Sequence, residues 1–320
     1  DKIRAKLLPL LEICKENSTA IRIGVNHGSL SDRILSRYGD TPNGMVESCL
    51  EFLRICREVD FSNVVISVKA SNTVIMVQTV RLLVARMNDE GMSYPLHLGV
   101  TEAGDGEDGR VKSAIGIGAL LADGLGDTIR VSLSEDPECE IPVAKKLVDY
   151  ISSRNRHDEI VAEDSKCVNP FIYERRETLS IEGIGGGNVP VVIMSRCCEH
   201  PIFKPDYIVN DGAVGQYKIY HCNELNMLKE DSSLVKFLEL SYSEFRDDYV
   251  PYLAQDVVLI LKTSHINGLA EQRAFFHALL SRGIKNPVII KRSYDDSEIE
   301  DLQIKAGADF GQFFIDGLGD

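Results

Sequence analysis

The stretch Val64-Val-Ile-Ser-Val-Lys-Ala-Ser-Asn72 predicts a strand that leads directly into a helix. Its β-branched run has the length of a buried strand. Asn72 is a preferred N-cap for the helical pattern over 73–90, which stops before Gly91. A strand and helix that together span about 30 residues are the repeating unit of a (β/α)₈ barrel. The stretch therefore favours an α/β barrel.

The same pattern occurs on both sides of this unit. Strand-like runs lie at 21–26, 96–101 and 128–133, with helical patterns over 42–58, opened by Thr41-Pro42, and over 110–122, ended before Gly124. We therefore expect residues 1–150 to form four consecutive βα units, the second half of a TIM barrel. Half a barrel leaves two open sheet edges, so the remaining units have to come from elsewhere.

The second half of the chain follows a polar stretch at 152–164 that reads as a linker. Strand-like runs follow at 189–194, 235–240, 256–261 and 286–291. An internal repeat joins the halves, because Lys112–Asp127 and Lys305–Asp320 both end in Asp-Gly-Leu-Gly-Asp. The repeat predicts that residues 151–320 form a second, barrel-like α/β domain. We expect a structural role for the Gly-Leu-Gly turn, since glycine permits a tight connection from helix to strand.

Charge and cysteine content narrow the classes of function. The net charge of −14 argues against a broad nucleic-acid or anionic-membrane surface, and no apolar run approaches the length of a membrane span. Eight cysteines without a Cys-x-x-Cys pair are typical of a reduced cytoplasmic protein. Cys49 and Cys56 are predicted to be core thiols. The vicinal pair Cys197-Cys198 could bind a metal, but strand-end thiols are the favoured interpretation.

Polar and charged side chains stand at the carboxyl ends of the four predicted strands, where α/β barrels place their active sites. They are Arg22 and Asn26 on the first, Lys69 on the second, Glu102 after the third, and Arg130 and Ser132 on the fourth. Arginine and lysine together are the usual ligands of phosphate, and Glu102 is a candidate acid, base or charge partner. The alternative is a set of interior ion pairs without a ligand. His27 is either a proton donor or a capping residue, and His97 is predicted to be packed.

Several of these segments resemble the family of 4-hydroxy-3-methylbut-2-enyl diphosphate synthases. The matching motifs lie at 22–30, 68–71, 98–104, 112–118 and 124–132. The long second half is similar to the plant-type, three-domain branch, in which an insertion separates the catalytic barrel from an iron–sulfur domain. The resemblance implies reductive ring opening of 2-C-methyl-D-erythritol 2,4-cyclodiphosphate in the methylerythritol phosphate pathway of isoprenoid biosynthesis. It also implies a 4Fe-4S cluster, fed by ferredoxin or flavodoxin, and a possible homodimer.

The resemblance also suggests roles for particular residues. Arg22, Asn26, Lys69, Arg130 and Ser132 would hold the diphosphate, and Glu102 would be the acidic residue near the reacting carbons. The family's Cys-Pro-Ser/Thr-Cys motif does not occur here, so we expect no metal ligand in this chain, an iron–sulfur domain outside it, and no activity from this piece alone. The second domain is expected to be a non-catalytic spacer in a cytoplasmic protein, or a stromal one in a plant. A scaffold, or another phosphate-binding barrel enzyme, remains the competing interpretation.

Overall fold

A computed structural model describes residues 2–194, 205–210 and 217–320, and these form two compact units. The first unit contains the described residues up to 153, together with 170–173 and 296–315. The second unit contains 154–169, the described residues of 174–295, and 316–320. The last long helix of the chain therefore belongs to the first unit.

The first unit alternates strands and helices. In chain order its elements are α1 (Lys2–Glu16), β1 (Ile21–Asn26), α2 (Asp32–Tyr38), α3 (Pro42–Glu58), β2 (Val64–Lys69), α4 (Thr73–Asp89), β3 (His97–Gly99), α5 (Gly106–Ala122), β4 (Thr128–Arg130) and α6 (Glu140–Ser152). The predicted strands at 21–26 and 64–69 are confirmed with the same bounds, while β3 and β4 are shorter than predicted. Helix α5 begins one turn earlier than predicted.

Both predicted helix caps are present. The Thr41 hydroxyl accepts a hydrogen bond from the backbone N–H of Gly44 at 3.2 Å, which opens α3. The Asn72 side-chain oxygen accepts from Val74 at 2.9 Å and from Ile75 at 3.1 Å, which opens α4. Each cap satisfies N–H groups that have no partner within the helix. The starts of these two helices are therefore fixed by local sequence.

The four strands of the first unit run parallel and in chain order. β1 pairs with β2 along its whole length, β3 pairs with β4, and a bridge between Ile66 and Leu96 places β3 beside β2. Ile23, Val25 and Leu98 point into the apolar core that the helices cover. The opposite face carries the polar side chains of the strands. This order and direction of strands are those of a half-barrel.

The second unit is built on one parallel sheet. Its elements are β5 (Ile193–Met194), β6 (Tyr207–Asn210), β7 (Tyr217–His221), α7 (Leu225–Glu230), β8 (Lys236–Leu240), β9 (Val257–Leu261), α8 (Gly268–Ser281) and β10 (Val288–Ile290); α9 (Ile299–Ile315) follows. The six strands lie in chain order from β5 to β10. Phe237 is fully buried on one face, with ring centroids 6.0 Å from Tyr207 and 5.8 Å from Tyr217. The runs predicted near 193, 236, 257 and 288 are confirmed as strands, whereas β6 and β7 were not predicted.

The two Asp-Gly-Leu-Gly-Asp segments make the same contacts. Their first aspartates bind an arginine of the preceding helix: Arg81 Nε lies 2.7 Å from Asp123 Oδ2, and one guanidinium nitrogen of Arg273 lies 3.2 Å from Asp316 Oδ2. Each pair joins two residues of the same unit. The contact is structural in both units.

The last aspartates of these segments also act alike. Asp127 Oδ2 accepts a hydrogen bond from the backbone N–H of Leu96 at 2.8 Å, and Asp320 Oδ2 accepts from Val288 at 3.1 Å. In each case the carboxylate satisfies a backbone donor at the start of a strand. These contacts give the flanking aspartates a structural role. The glycines between them have positive φ, from 71° to 116°, as expected for the predicted Gly-Leu-Gly turn.

Candidate active site

One row across the first unit's sheet brings three of the predicted binding residues together, namely Asn26, Lys69 and Arg130. Arg22 lies outside this row, near the amino end of β1, where it pairs with Val65. Asn26 pairs with Lys69 and Gly99 pairs with Arg130. The bridge between Ile66 and Leu96 places Lys69 beside Gly99, because both lie three residues further along parallel strands. The row lies at the carboxyl ends of the strands, which is the functional end of a barrel.

Lys69 is the centre of a cluster of positive charges. Burial lowers the pKa of its half-buried ammonium, and the neighbouring Arg130 and Arg22 guanidinium groups lower that pKa further. Glu140 acts in the opposite direction. Cations that depress one another's protonation are stabilised by a bound anion. The cluster is therefore built to receive negative charge.

Gly99 makes room for the Lys69 side chain. A Cβ atom at Gly99 would lie 3.3 Å from Lys69 Cε and 3.0 Å from the backbone oxygen of Arg130. The lysine therefore crosses directly over the glycine. The sequence analysis did not assign a role to Gly99. The available signal was a glycine inside a strand, which often marks the close approach of another group.

His97 lies on β3 two residues before Gly99, and therefore on the same face of the sheet. Its Nδ1 atom lies 2.8 Å from Thr128 Oγ1, and its Nε2 atom is buried without a hydrogen-bond partner among the residues described. Burial lowers the pKa of His97, and so do the charges of Lys69, Arg22 and Arg130. The sequence predicted packing for this residue. The structure adds that one ring nitrogen is buried without a hydrogen-bond partner among the described residues, which is uncommon for a polar atom.

Glu102 and Ser132 lie on the loops that follow β3 and β4. Glu102 is exposed and has a left-handed backbone with φ of 50°, which is uncommon for a residue other than glycine. Ser132 is half-buried, two residues beyond Arg130. The described carboxylate in contact with the cations is Glu140, whose Oε2 lies 3.2 Å from Arg130 Nε. Glu102 thus stands at the rim of the site and outside the ion-pair contacts.

His27 belongs to the loop after β1, and an aspartate fixes that loop. His27 Nε2 lies 3.5 Å from Asp40 Oδ2, and the backbone N–H of Gly28 donates to the same oxygen at 3.0 Å. Of the two roles considered for His27, this geometry favours the structural one. The pair holds the first loop of the site in position.

Comparisons with known proteins show the family of this chain. Residues 2–145 match the family model of the GcpE TIM-barrel domain. A 4-hydroxy-3-methylbut-2-en-1-yl diphosphate synthase (flavodoxin) of Phocaeicola vulgatus is 53% identical over all of this chain and 57% of its own length. A relative of the same name in Bacteroides fragilis is 52% identical over all of this chain and 55% of its own length. The chain belongs to this synthase family.

A plant relative is also similar to part of the chain. The 4-hydroxy-3-methylbut-2-en-1-yl diphosphate synthase (ferredoxin), chloroplastic, of Oryza sativa subsp. japonica is 70% identical over 139 residues, which are 43% of this chain and 19% of that protein. The chain spans little more than half the length of the bacterial relatives. The family match confirms the predicted α/β TIM-barrel units.

The cysteines that the structure describes do not form a cluster site. Cys14, Cys49 and Cys56 are buried in the first unit's core, as predicted for the last two, and burial raises the pKa of Cys49 to about 12. An iron–sulfur cluster needs converging cysteine thiolates. Within the described ranges, no three His, Cys, Asp or Glu side chains are grouped to hold a metal ion. These residues therefore do not fit the cluster; the vicinal cysteines at 197–198 lie outside the described residues.

Among residues 2–194, 205–210 and 217–320, no helix has both the length and the apolar character that crossing a lipid bilayer requires.

Proposed function

We propose that this chain carries the diphosphate-binding part of a 4-hydroxy-3-methylbut-2-enyl diphosphate synthase. The observation that carries the proposal is the row at the carboxyl ends of the strands, in which Lys69 lies between Asn26 and the Gly99–Arg130 pair. The lowered pKa of Lys69, caused by burial and then by Arg130 and Arg22, supports it. The substrate would be 2-C-methyl-D-erythritol 2,4-cyclodiphosphate. The whole enzyme would open its ring reductively, in the methylerythritol phosphate pathway of isoprenoid biosynthesis.

The side chains divide into two tasks in this proposal. Lys69, Arg22 and Arg130 offset the charge of the diphosphate, because charge-assisted hydrogen bonds to phosphate oxygens are strong. Asn26 and Ser132 orient the same group with neutral hydrogen bonds. Glu102 stands at the rim as the acidic residue nearest the reacting carbons. Its strained backbone is consistent with a functional position.

The remaining parts of the enzyme lie outside the described site. An iron–sulfur cluster supplies electrons in this family, and we place its ligands outside this chain. Flavodoxin or ferredoxin would be the electron donor, as the names of the relatives suggest. We infer a location in the cytoplasm, or in the plastid stroma of a plant. A homodimer is compatible with this arrangement.

The second unit is proposed to be a barrel-like insertion domain, and residues 1–150 the second half of the catalytic barrel. Six parallel strands in chain order and the matching contacts of the two Asp-Gly-Leu-Gly-Asp segments support this relationship. Residues 151–320 would then act as a spacer without catalytic residues.

Calorimetric titration of the chain with the cyclic diphosphate tests the proposed binding site. We expect binding that Lys69→Ala weakens by about tenfold or more, the effect of one lost charge-assisted contact. Lys145→Ala is the matched control, because Lys145 is an exposed lysine on α6. The ion pair between Arg130 and Glu140 favours the competing scaffold interpretation. Equal affinity in wild type and Lys69→Ala, or no binding at all, would support that scaffold.

A further inference from the structure

The strand that carries Lys69 has a counterpart in the second unit. Val64-Val-Ile-Ser-Val-Lys-Ala-Ser71 and Val257-Val-Leu-Ile-Leu-Lys-Thr-Ser264 share both valines, the lysine and the serine at equal offsets. The two stretches are separated by the same number of residues as the two Asp-Gly-Leu-Gly-Asp segments. By sequence, Lys262 is therefore the counterpart of Lys69.

The strand register gives the same correspondence. The backbone N–H of Lys262 donates to the oxygen of Leu240 at 3.0 Å, and that of Lys291 donates to Leu261 at 2.9 Å. Since β8, β9 and β10 pair in parallel, Ser241, Lys262 and Lys291 form one row at the carboxyl edge of the second sheet. This row corresponds to Asn26, Lys69 and Gly99 of the first unit. The second unit thus keeps the lysine and gains another.

The rows two residues below these differ, and one of the differences changes the charge. Glu239 pairs with Ile260, two residues before Lys262, and Gly24 pairs with Ser67, two residues before Lys69. A Cβ atom at Gly24 would meet no other atom within 4 Å, so the first unit is open at this point. In the second unit the same place holds a glutamate that is only 5% exposed.

The Glu239 carboxylate is shared by basic groups from three strands. Lys291 Nζ contacts its Oε1 atom, and Lys262 Nζ lies 3.8 Å from Oε2. His221 Nδ1 lies 3.7 Å from Oε2. A buried carboxylate is stable only when cations and donors surround it. Lys262 and Lys291 therefore contact the carboxylate of Glu239. The corresponding position of the first unit is Gly24, which leaves that space open.

We propose that Glu239 is a built-in counter-ion that fills a duplicated anion site at the carboxyl edge of the second sheet. Removing its carboxylate opens a site for a phosphate-sized anion, held by Lys262 and Lys291. This inference rests on the proposed anion site around Lys69, which serves as its template. Its consequence is that, in the intact chain, Lys262 and Lys291 are occupied by Glu239 and do not bind the diphosphate.

Phosphate titration in a Lys69→Ala background tests the inference independently of the first site. Glu239→Gly is added to that background, and inorganic phosphate is titrated calorimetrically at constant ionic strength. We expect phosphate affinity about tenfold above that of Lys69→Ala alone, the gain from one charge-assisted contact. A further Lys262→Ala substitution should abolish the gain. Because every variant in this comparison lacks Lys69, the result can be interpreted even if the proposed site around Lys69 does not bind the diphosphate.

Glu244→Gln in the same background is the matched control. Glu244 Oε2 lies 3.4 Å from Lys262 Nζ, but Glu244 is on the loop after β8 and outside the row. Its replacement removes a negative charge near the same lysine without opening the sheet, and should leave phosphate affinity unchanged. An equal gain in this control would show a general charge effect and overturn the inference.

A second variant guards against misfolding of Glu239→Gly. Glu239→Gln keeps the shape of the side chain and removes its charge, so the lysines lose their counter-ion. This variant is also made in the Lys69→Ala background, and melting temperatures are measured in phosphate and in chloride at equal ionic strength. We expect phosphate to raise the melting temperature of the Glu239→Gln variant by a few degrees, and to raise that of Lys69→Ala alone by less. The absence of a phosphate effect in every folded Glu239 variant would refute the built-in counter-ion.

Discussion

The Lys69 side chain can extend over the neighbouring strand because that strand has glycine at position 99. Any side chain there would meet both the lysine and the backbone of Arg130. His97 lies two residues earlier, and its pKa is lowered by burial and by the charges of Lys69, Arg22 and Arg130. At the scale of single residues, the position of Lys69 thus depends on the absence of a side chain at Gly99. Beside it, the Nε2 atom of His97 has no hydrogen-bond partner among the described residues.

Gly99→Ala is expected to displace Lys69 and to weaken cyclic-diphosphate binding by about tenfold, the effect of one lost charge-assisted contact. The new methyl group would lie 3.0 Å from a backbone oxygen, which cannot move as easily as a side chain. Affinity measured by calorimetry is the readout. Gly187→Ala is the control, because a Cβ atom there would meet nothing within 4 Å. Unchanged affinity in Gly99→Ala would show that Lys69 does not need this path.

At the scale of elements, α5 and α9 pack through small residues, and their contacts follow the sequence repeat. A Cβ atom at Gly118 would lie 3.0 Å from Ala308, and one at Gly311 would lie 2.7 Å from Ile115. Gly311 corresponds to Gly118 in the repeat, and Ala308 corresponds to Ile115. Exchanging the two helices therefore exchanges the two contacts, as in a twofold interface.

Gly311→Val should destabilise the first unit by about 1–3 kcal/mol, the usual cost of overpacking a close contact. The added side chain has to displace Ile115, which lies on the facing helix. The free energy of unfolding in urea measures the effect. Combining the substitution with Ile115→Ala should recover part of the loss, because the smaller side chain leaves space. A double variant no more stable than Gly311→Val would contradict this account.

At the scale of the whole molecule, a strongly acidic chain holds a local site of positive charge. The net charge is −14, yet Lys69 and Arg130 lie at one edge of the first sheet. Arg22, on the same strand as Asn26, adds to the positive charge around Lys69. Burial and these like charges lower the pKa values of both Lys69 and His97. A bound anion would offset the charges and raise both pKa values. Binding should therefore be linked to protonation.

Binding of the cyclic diphosphate is expected to take up protons, so its affinity should rise as the pH falls from about 7.5 to about 6, around the ordinary pKa of histidine. Each phosphorus of the cyclic ligand has one acidic oxygen that is already ionised, so the uptake reports on the protein. Titration in two buffers of different ionisation enthalpy measures the number of protons. His97→Gln should take up fewer protons near pH 6.5. Proton release, or no difference between the two buffers, would contradict the proposed charge linkage.

Local sequence was sufficient for much of the secondary structure. The bounds of β1 and β2 and the caps at Thr41 and Asn72 were predicted because strand periodicity and capping involve neighbouring residues. The short strands β6 and β7 were missed, since runs of four or five residues carry little pattern. The cations of the site were predicted in the same local way, as polar residues at strand ends.

The sequence by itself determined the parallel βα units, the charged strand ends and the structural repeat. The tertiary structure decided which of these residues meet. Register placed Gly99 under Lys69 and Glu239 beside Lys262 and Lys291, and helix packing placed α9 with the first unit. Such contacts join residues far apart in the chain, and they depend on strand pairing and side-chain volume. Neither property leaves a local pattern in the sequence.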